Sequence, residues 1–380
     1  MKKWNDFRVA YPVAATFFGI IVGPAMASGA YAVTYYSKFG AAALWLPLVT
    51  LAVIGIEFFF GLNFARVNKL YDWGRFSQAL YGKYHKIINP LYSFYMIIFG
   101  FVSMAVMFSM GAQIFMDGLG VGYYVGALLC CVFMILLMLY GGKVVRNSNT
   151  VMSVLLLGAM LLFAALSLNV GGERLGEIVG SWDVWPGEKG MFSAIIGAAA
   201  FGFAISNNFL PTLSVADQIH TRRQCGLGAI VTVVISYCIL LMTIVITLPF
   251  APESLTQSTP ILWVVQTHVS GKMGLLGPAY TFLLFLAVMS SSPAILLAQC
   301  ARWNRILPST GALANEKVKS ILVAMLYCVG GIMIGKMGLL AIVAKLFNIL
   351  GYVSIPMIFV PVVFTTWQRA KKQEALNADK

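Results

Sequence analysis

Charge is what this sequence has least of. Only 10% of its 380 residues are charged and 60% are hydrophobic, whereas a soluble domain carries about 25% charged residues. No soluble domain of any size fits between the apolar runs, so the chain is expected to be an integral membrane protein. Histidine occurs three times, at His85, His220 and His268, each alone in a loop, and a metal centre is not expected. The six cysteines (Cys130, Cys131, Cys225, Cys238, Cys300 and Cys328) form no C-x-x-C pair or metal spacing. They lie in or at the ends of apolar runs and read as buried thiols. A membrane-embedded enzyme would need clustered histidines, paired acids or an activated serine. A channel would show rings of charge or a repeated filter. Neither pattern is visible, so the expectation is a protein that is not an enzyme.

What is present is apolar length. A helix needs about twenty apolar residues to cross a bilayer, and ten stretches qualify: roughly 8–37, 42–65, 88–117, 121–141, 149–170, 190–217, 225–249, 274–302, 316–335 and 338–367. The first, third, sixth, eighth and tenth are long enough to be tilted or broken. With the N-terminus inside, twenty Lys and Arg fall in inner segments, five fall in outer loops, and Lys345 lies within a span. This asymmetry predicts a cytoplasmic (inner) membrane protein with both termini cytoplasmic. It also assigns the +13 net charge to anionic lipid rather than nucleic acid. The start mimics a cleavable signal, with Ala25-Met26-Ala27 as the cleavage site. The polar entry Trp4-Asn5-Asp6-Phe7-Arg8 and the long run from Val9 argue against cleavage. An odd number of spans per half inserts the second half upside down. The predicted architecture is therefore all-α: ten transmembrane helices as two inverted five-helix repeats, about 8–170 and 190–367. They form a single domain over 1–380 with a cytoplasmic tail at 368–380.

Two spans carry matching interruptions. Gly23-Pro24-Ala25-Met26-Ala27-Ser28-Gly29 breaks the first, and Ser206-Asn207-Asn208-Phe209-Leu210-Pro211 breaks the sixth. Each break falls about sixteen residues into its span. Unwound backbone is tolerated in a bilayer only where protein or a wet cavity satisfies its polar groups. Paired interruptions in corresponding positions of two halves point to a transporter's binding site. Pro24 removes an N–H and frees a carbonyl. The half-helix after it offers N–H groups and a positive dipole end to a carboxylate. A simple proline kink is the plainer reading of the first break alone. The second break puts Ser206, Asn207 and Asn208 at mid-membrane, to line a cavity or to bond neighbouring helices.

Elsewhere, 70–81 reads as a short amphipathic interfacial helix with aromatic anchors. The outer loop 171–189, with Trp182 and Trp185, reads as a cover or an interface belt. The apolar segment 259–270, with Pro260 at a helix start, reads as a hairpin dipping towards the entrance.

The run Gly19-Ile20-Ile21-Val22-Gly23-Pro24-Ala25-Met26-Ala27-Ser28-Gly29 resembles the G-x-x-x-G-x-G helix-1 break of the amino acid–polyamine–organocation superfamily, whose fold is LeuT-type. Within it the sequence is similar to YkvI-like membrane proteins, whose helix-1 pattern reads roughly GAGFASG. Ile205-Ser206-Asn207-Asn208 and the run to Gly226 and Gly228 are similar as well. Pro24 and Ala25 depart from that pattern. The resemblance implies an aromatic gate near the sixth-span break, for which Phe201 and Phe203 are candidates. It also implies a Na⁺ site from two adjacent hydroxyls on helix 8, a carbonyl one turn earlier, and two carbonyls before the helix-1 break. The matching positions are Ser291, Ser292, Val288, Gly19 and Val22. Small-residue packing explains the serines equally well. Pro293 frees a carbonyl around Met289.

The expected function is secondary active transport of a small organic solute by alternating access, with Na⁺ as coupling ion and no other cofactor. An amino acid or related zwitterion is the leading solute. Gly23, Pro24, Ala25, Met26, Ala27, Ser28, Ser206, Asn207 and Asn208 are the expected contacts, with Met104 and Met107 on an apolar side. Three ionisable groups lie at membrane depth, where charge is costly and usually functional: Glu57, Lys345 and Asp117. They keep open an alternative, proton coupling through Lys345 and Glu57. The expected partners are solute and bilayer, and the sequence leaves the oligomeric state open.

Overall fold

Proline, glycine and capping side chains decide where these apolar helices start and stop. The computed structural model describes residues 2–21, 23–140, 142–185, 190–270, 274–304, 306–307, 315–365 and 367–368. The stretch expected as the first span falls into three helices, α1 (Lys2–Ile21), α2 (Pro24–Ala27) and α3 (Ala30–Tyr35). Gly23 is extended ahead of Pro24, which opens α2, where a missing N–H costs nothing. Helix α4 (Leu46–Asn68) comes next. Then comes α5 (Trp73–Tyr81), where the interfacial helix is expected, with Asp72 accepting a hydrogen bond from the Arg75 N–H at 3.0 Å. The chain continues through α6 (His85–Leu119), α7 (Tyr123–Tyr140) and α8 (Gly142–Gly180).

In the second half, α9 (Gly190–Ser206) stops at Asn207–Asn208 and resumes as α10 (Phe209–Thr212) and a 3₁₀ turn. The two parts are bent by 41°. Helix α11 (Arg222–Thr247) opens on a capping box. Thr221 accepts from the Gln224 N–H, and the Gln224 side chain accepts from the Thr221 and His220 N–H groups. Helices α12 (Pro260–Val264), α13 (Leu276–Trp303) and α14 (Glu316–Gly335) precede a C-terminal span, Leu339–Thr365, which contains several π-helical turns. Among the described residues, seven helices are long and apolar enough to cross a membrane, and the bent pair α9–α10 makes an eighth if read as one span. Tyr123–Leu139 is a shorter apolar helix. The described residues contain only one isolated β-bridge, Gly40 with Val184.

Two connections differ from a simple loop. Residues 171–180 continue α8 rather than leaving it. Gly171 lets that helix approach Pro249 and Phe250, and the Arg174 guanidinium donates to the Ala251 carbonyl. Beyond it, Asp183 and Trp185 clasp the turn between α3 and α4: the Ala41 N–H donates to Asp183 O at 2.9 Å, and the Trp185 N–H to Phe39 O at 3.3 Å. At the other end of the molecule, Asp6 fastens α1 to α11. Its carboxylate accepts from Gln224 Nε2 at 3.0 Å and lies 3.7 Å from Arg223 Nε.

Candidate functional site

The helix-1 interruption leaves carbonyls without helical donors, and the protein itself answers two of them. The Ser28 carbonyl accepts the Ile261 N–H at 3.0 Å, and the Ala27 carbonyl accepts the Tyr280 hydroxyl. The 259–270 segment therefore touches the break directly through α12. Pro24, Ala25, Met26, Ala27 and Ser28 are buried, and Gly23 is partly exposed. The Ser28 hydroxyl turns back to the Ala25 carbonyl at 2.9 Å.

The helix-6 interruption is also held from within. Asn207 Nδ2 donates to the Tyr95 hydroxyl (2.9 Å) and to the Ala204 and Phe203 carbonyls (3.1 and 3.2 Å). The Phe203 carbonyl further accepts from Ser206 and from Ser354 on the C-terminal span, at 3.1 and 2.7 Å. Asn208 is partly exposed.

These two interruptions lie side by side. Helix α1 packs on α10 and α3 packs on α9, so the half-helix before each break faces the half-helix after the other. An aromatic layer closes each side. On the α3 side, Phe201 stacks on Tyr35 at 4.3 Å and meets Tyr31 at 4.8 Å and Phe347 at 6.4 Å. On the α1 side, Phe58 contacts Phe17 at 4.7 Å and Phe209 at 5.3 Å. The Tyr35 hydroxyl donates to the Val343 carbonyl at 2.7 Å and reaches Asn348 Oδ1 at 3.2 Å. Tyr35→Phe keeps the ring stack and removes these bonds; the expected cost is about 1 kcal/mol, read as a lower unfolding midpoint in detergent. Tyr35→Leu removes the stack as well and is expected to cost more.

Of the two gate candidates, Phe201 sits in the layer beside the breaks, whereas Phe203 packs edge-on against Phe359 at 4.7 Å. Met104 and Met107 are buried, and Met104 packs near Gly331 of α14. Ser292 is buried and donates to the Val288 carbonyl; Ser291 is partly exposed. A Cβ added at Gly19 would meet no neighbouring group within 4 Å, and Val22 lies outside the described residues. Asp117 is exposed and accepts from Gln113 at 2.8 Å. Lys345 is exposed on the C-terminal span. Glu57 is fully buried in α4, and neither of its carboxyl oxygens has a hydrogen-bond partner. The structure does not pair it with Lys345; it sets it beside Ser206 instead. Tyr31, Tyr35, Tyr95 and Ile261 are not expected from the sequence. The spacing of Tyr31 and Tyr35, four apart on the half-helix after the break, is the signal that could have found them.

No protein-family model matches the sequence, and no curated protein matches it. Solved structures do. The chain is similar to a Na⁺-coupled sialic acid symporter in a substrate-bound outward-open state (TM-score 0.62, 13% identity, covering 93% of this chain and 79% of that one). It is similar to MhsT in complex with L-phenylalanine (TM-score 0.60, 15% identity, 96% and 97% covered). It is also similar to Mhp1 in an inward-facing conformation (TM-score 0.58, 16% identity, 93% and 75% covered). The fold is LeuT-type. These neighbours are membrane transporters rather than enzymes, and the chain is a multi-pass membrane protein of the same architecture.

Proposed function

We propose that this protein is a secondary active transporter of a small organic solute, an amino acid or related zwitterion, working by alternating access and coupled to Na⁺. The observation that carries the reading is the antiparallel meeting of the two helix interruptions between two aromatic layers. Unwound backbone lies there together with the unpartnered Asn207 Oδ1, where a small ligand would find hydrogen-bonding groups out of water. α1–α3 taken as one span and Tyr123–Leu139 bring the count to ten, arranged as two inverted repeats with cytoplasmic termini. The half-helix after Gly23 would meet a solute carboxylate, and Phe201 would close over it. For Na⁺ the candidates are Val288, Ser291 and Ser292 on α13, with Gly19 and Val22 on the first span. A hydroxyl that donates to a carbonyl keeps its own lone pairs for a cation, so the Ser292–Val288 bond is compatible with that role. Neighbours of this fold include a Na⁺-coupled symporter, which supports the ion. The YkvI-like likeness remains part of this reading.

The test is uptake in proteoliposomes across a panel of amino acids, betaines and small organic acids, after a thermal-shift screen for ligands that stabilise the native state. A solute that accumulates under an inward Na⁺ gradient is the expected result. The double variant Ser291→Ala/Ser292→Ala is expected to lose at least tenfold in apparent Na⁺ affinity, about 1.4 kcal/mol. Unchanged Na⁺ dependence removes those residues from the ion site. Flux that ignores Na⁺ and collapses with the pH gradient removes Na⁺ itself, and absence of any accumulated solute overturns the transporter reading.

A further inference from the structure

Glu57 is a charge-bearing group in the middle of α4 that the proposed solute and Na⁺ contacts leave unused. It is 0% exposed, and both oxygens lack a hydrogen-bond partner. Its polar neighbour is Ser206, the last residue of α9 before the interruption. The next residue, Asn207, has a buried Oδ1 that is also without a partner, although its Nδ2 is fully engaged. The Tyr92 hydroxyl nearby is a fourth buried polar atom without a partner.

The surroundings decide which charge state suits this packing. Tyr81 from α5 and Tyr92 and Tyr95 from α6 lie within electrostatic reach of the carboxyl. The Tyr81 hydroxyl is committed to the Met357 carbonyl at 2.8 Å. From α9 comes Ser206. On α11, Arg222 sits over Phe59, Arg223 faces Asp6, and the Tyr237 hydroxyl donates to Leu44 O. Asp217, on the turn after α10, and Lys345 and Tyr352, on the C-terminal span, are exposed. Arg302 acts on Tyr92. No cationic side chain among the described residues therefore bonds Glu57. With Ser206 as its polar neighbour and no cation bonded to it, a buried carboxylate here is strongly disfavoured, and the neutral acid is the form that fits.

We propose that Glu57 is a proton-binding site tied to the α9–α10 interruption: it holds a proton while Ser206 and Asn207 are packed as here and releases it when the break rearranges. On opening, the acid O–H bond breaks, the proton passes to water admitted at the break, and the electron pair stays on the carboxylate. Closing reverses this. Proton binding itself is independent of the transport reading; its link to a solute rests on that reading.

Infrared spectroscopy of the full-length protein in liposomes tests the site without any solute, so its failure and the failure of the transport reading are separable. The expected result at neutral pH is a protonated-carboxyl C=O band that shifts when glutamate is ¹³C-labelled in the unmutated protein. Glu57→Gln should remove it and Lys345→Ala should leave it. A labelled wild type without such a band overturns the proposal, as does a band that survives in Glu57→Gln. Loss of the band on replacing KCl by NaCl overturns it in favour of a cation site. Asn207→Ala loosens the break and admits water, which is expected to change the proton affinity about tenfold and so move the half-titration. An unmoved midpoint overturns the link to the break.

Discussion

Gly351→Ala is expected to abolish uptake and to lower stability by about 3 kcal/mol or more. Gly351 lies on the C-terminal span where it crosses α9, and an added Cβ would overlap the Ala200 carbonyl oxygen. The obstacle is backbone, so no side-chain rotation relieves it. Alanine's better helix propensity, worth about 1 kcal/mol, offsets only part of the cost. The functional consequence comes from the contact one turn on. Ser354 donates to the Phe203 carbonyl at 2.7 Å, three residues before the α9 break, and separating the two helices releases that bond. Gly197→Ala on α9 is the control: nothing lies within 4 Å of its added Cβ, so stability is expected to hold or rise slightly. Thermal unfolding in detergent and proteoliposome uptake read both outcomes. A Gly351→Ala protein with an unchanged midpoint would mean that the two backbones are not in contact.

The interruptions were legible because glycine and proline punctuate a chain that is otherwise uniformly apolar. Faces were not legible. In a helix that is apolar all round, nothing distinguishes the side of Met104, which meets α14, from a side that would meet a solute. Phe201 and Phe203 are equally apolar, but two residues apart on a helix they face different neighbours, Tyr35 and Phe359. For Glu57 and Lys345, counting residues along each span measured depth but not direction. Depth left the pairing open, and direction set Glu57 against Ser206. The span expected over 149–170 runs on as α8 to Gly180, so residue 171 is not its end. Gly171 is instead a point of close approach to Pro249.

The same distinction governs Gly29, the last residue of the first interruption. Its φ of +85° is left-handed, a conformation that costs an ordinary residue roughly 1–2 kcal/mol. An added Cβ would also stand 2.8 Å from Ile261 Cγ1. Gly29→Ala is therefore expected to cost about 2–3 kcal/mol, and to remove most uptake. The two causes separate in a double-mutant cycle. Ile261→Ala relieves the crowding but not the backbone strain, so it should recover part of the loss and leave roughly 1–2 kcal/mol. Gly29→Asn is the complementary variant, since asparagine tolerates the left-handed region better while still carrying a Cβ. It should recover the strain and keep the crowding. Full rescue by Ile261→Ala would make the contact with α12 the whole reason for glycine here. No rescue would make it the backbone alone. The structure requires both, because the carbonyl just before Gly29 is the one that receives the Ile261 N–H: the turn that aims the Ser28 carbonyl at α12 is the turn that brings Gly29 against its side chain.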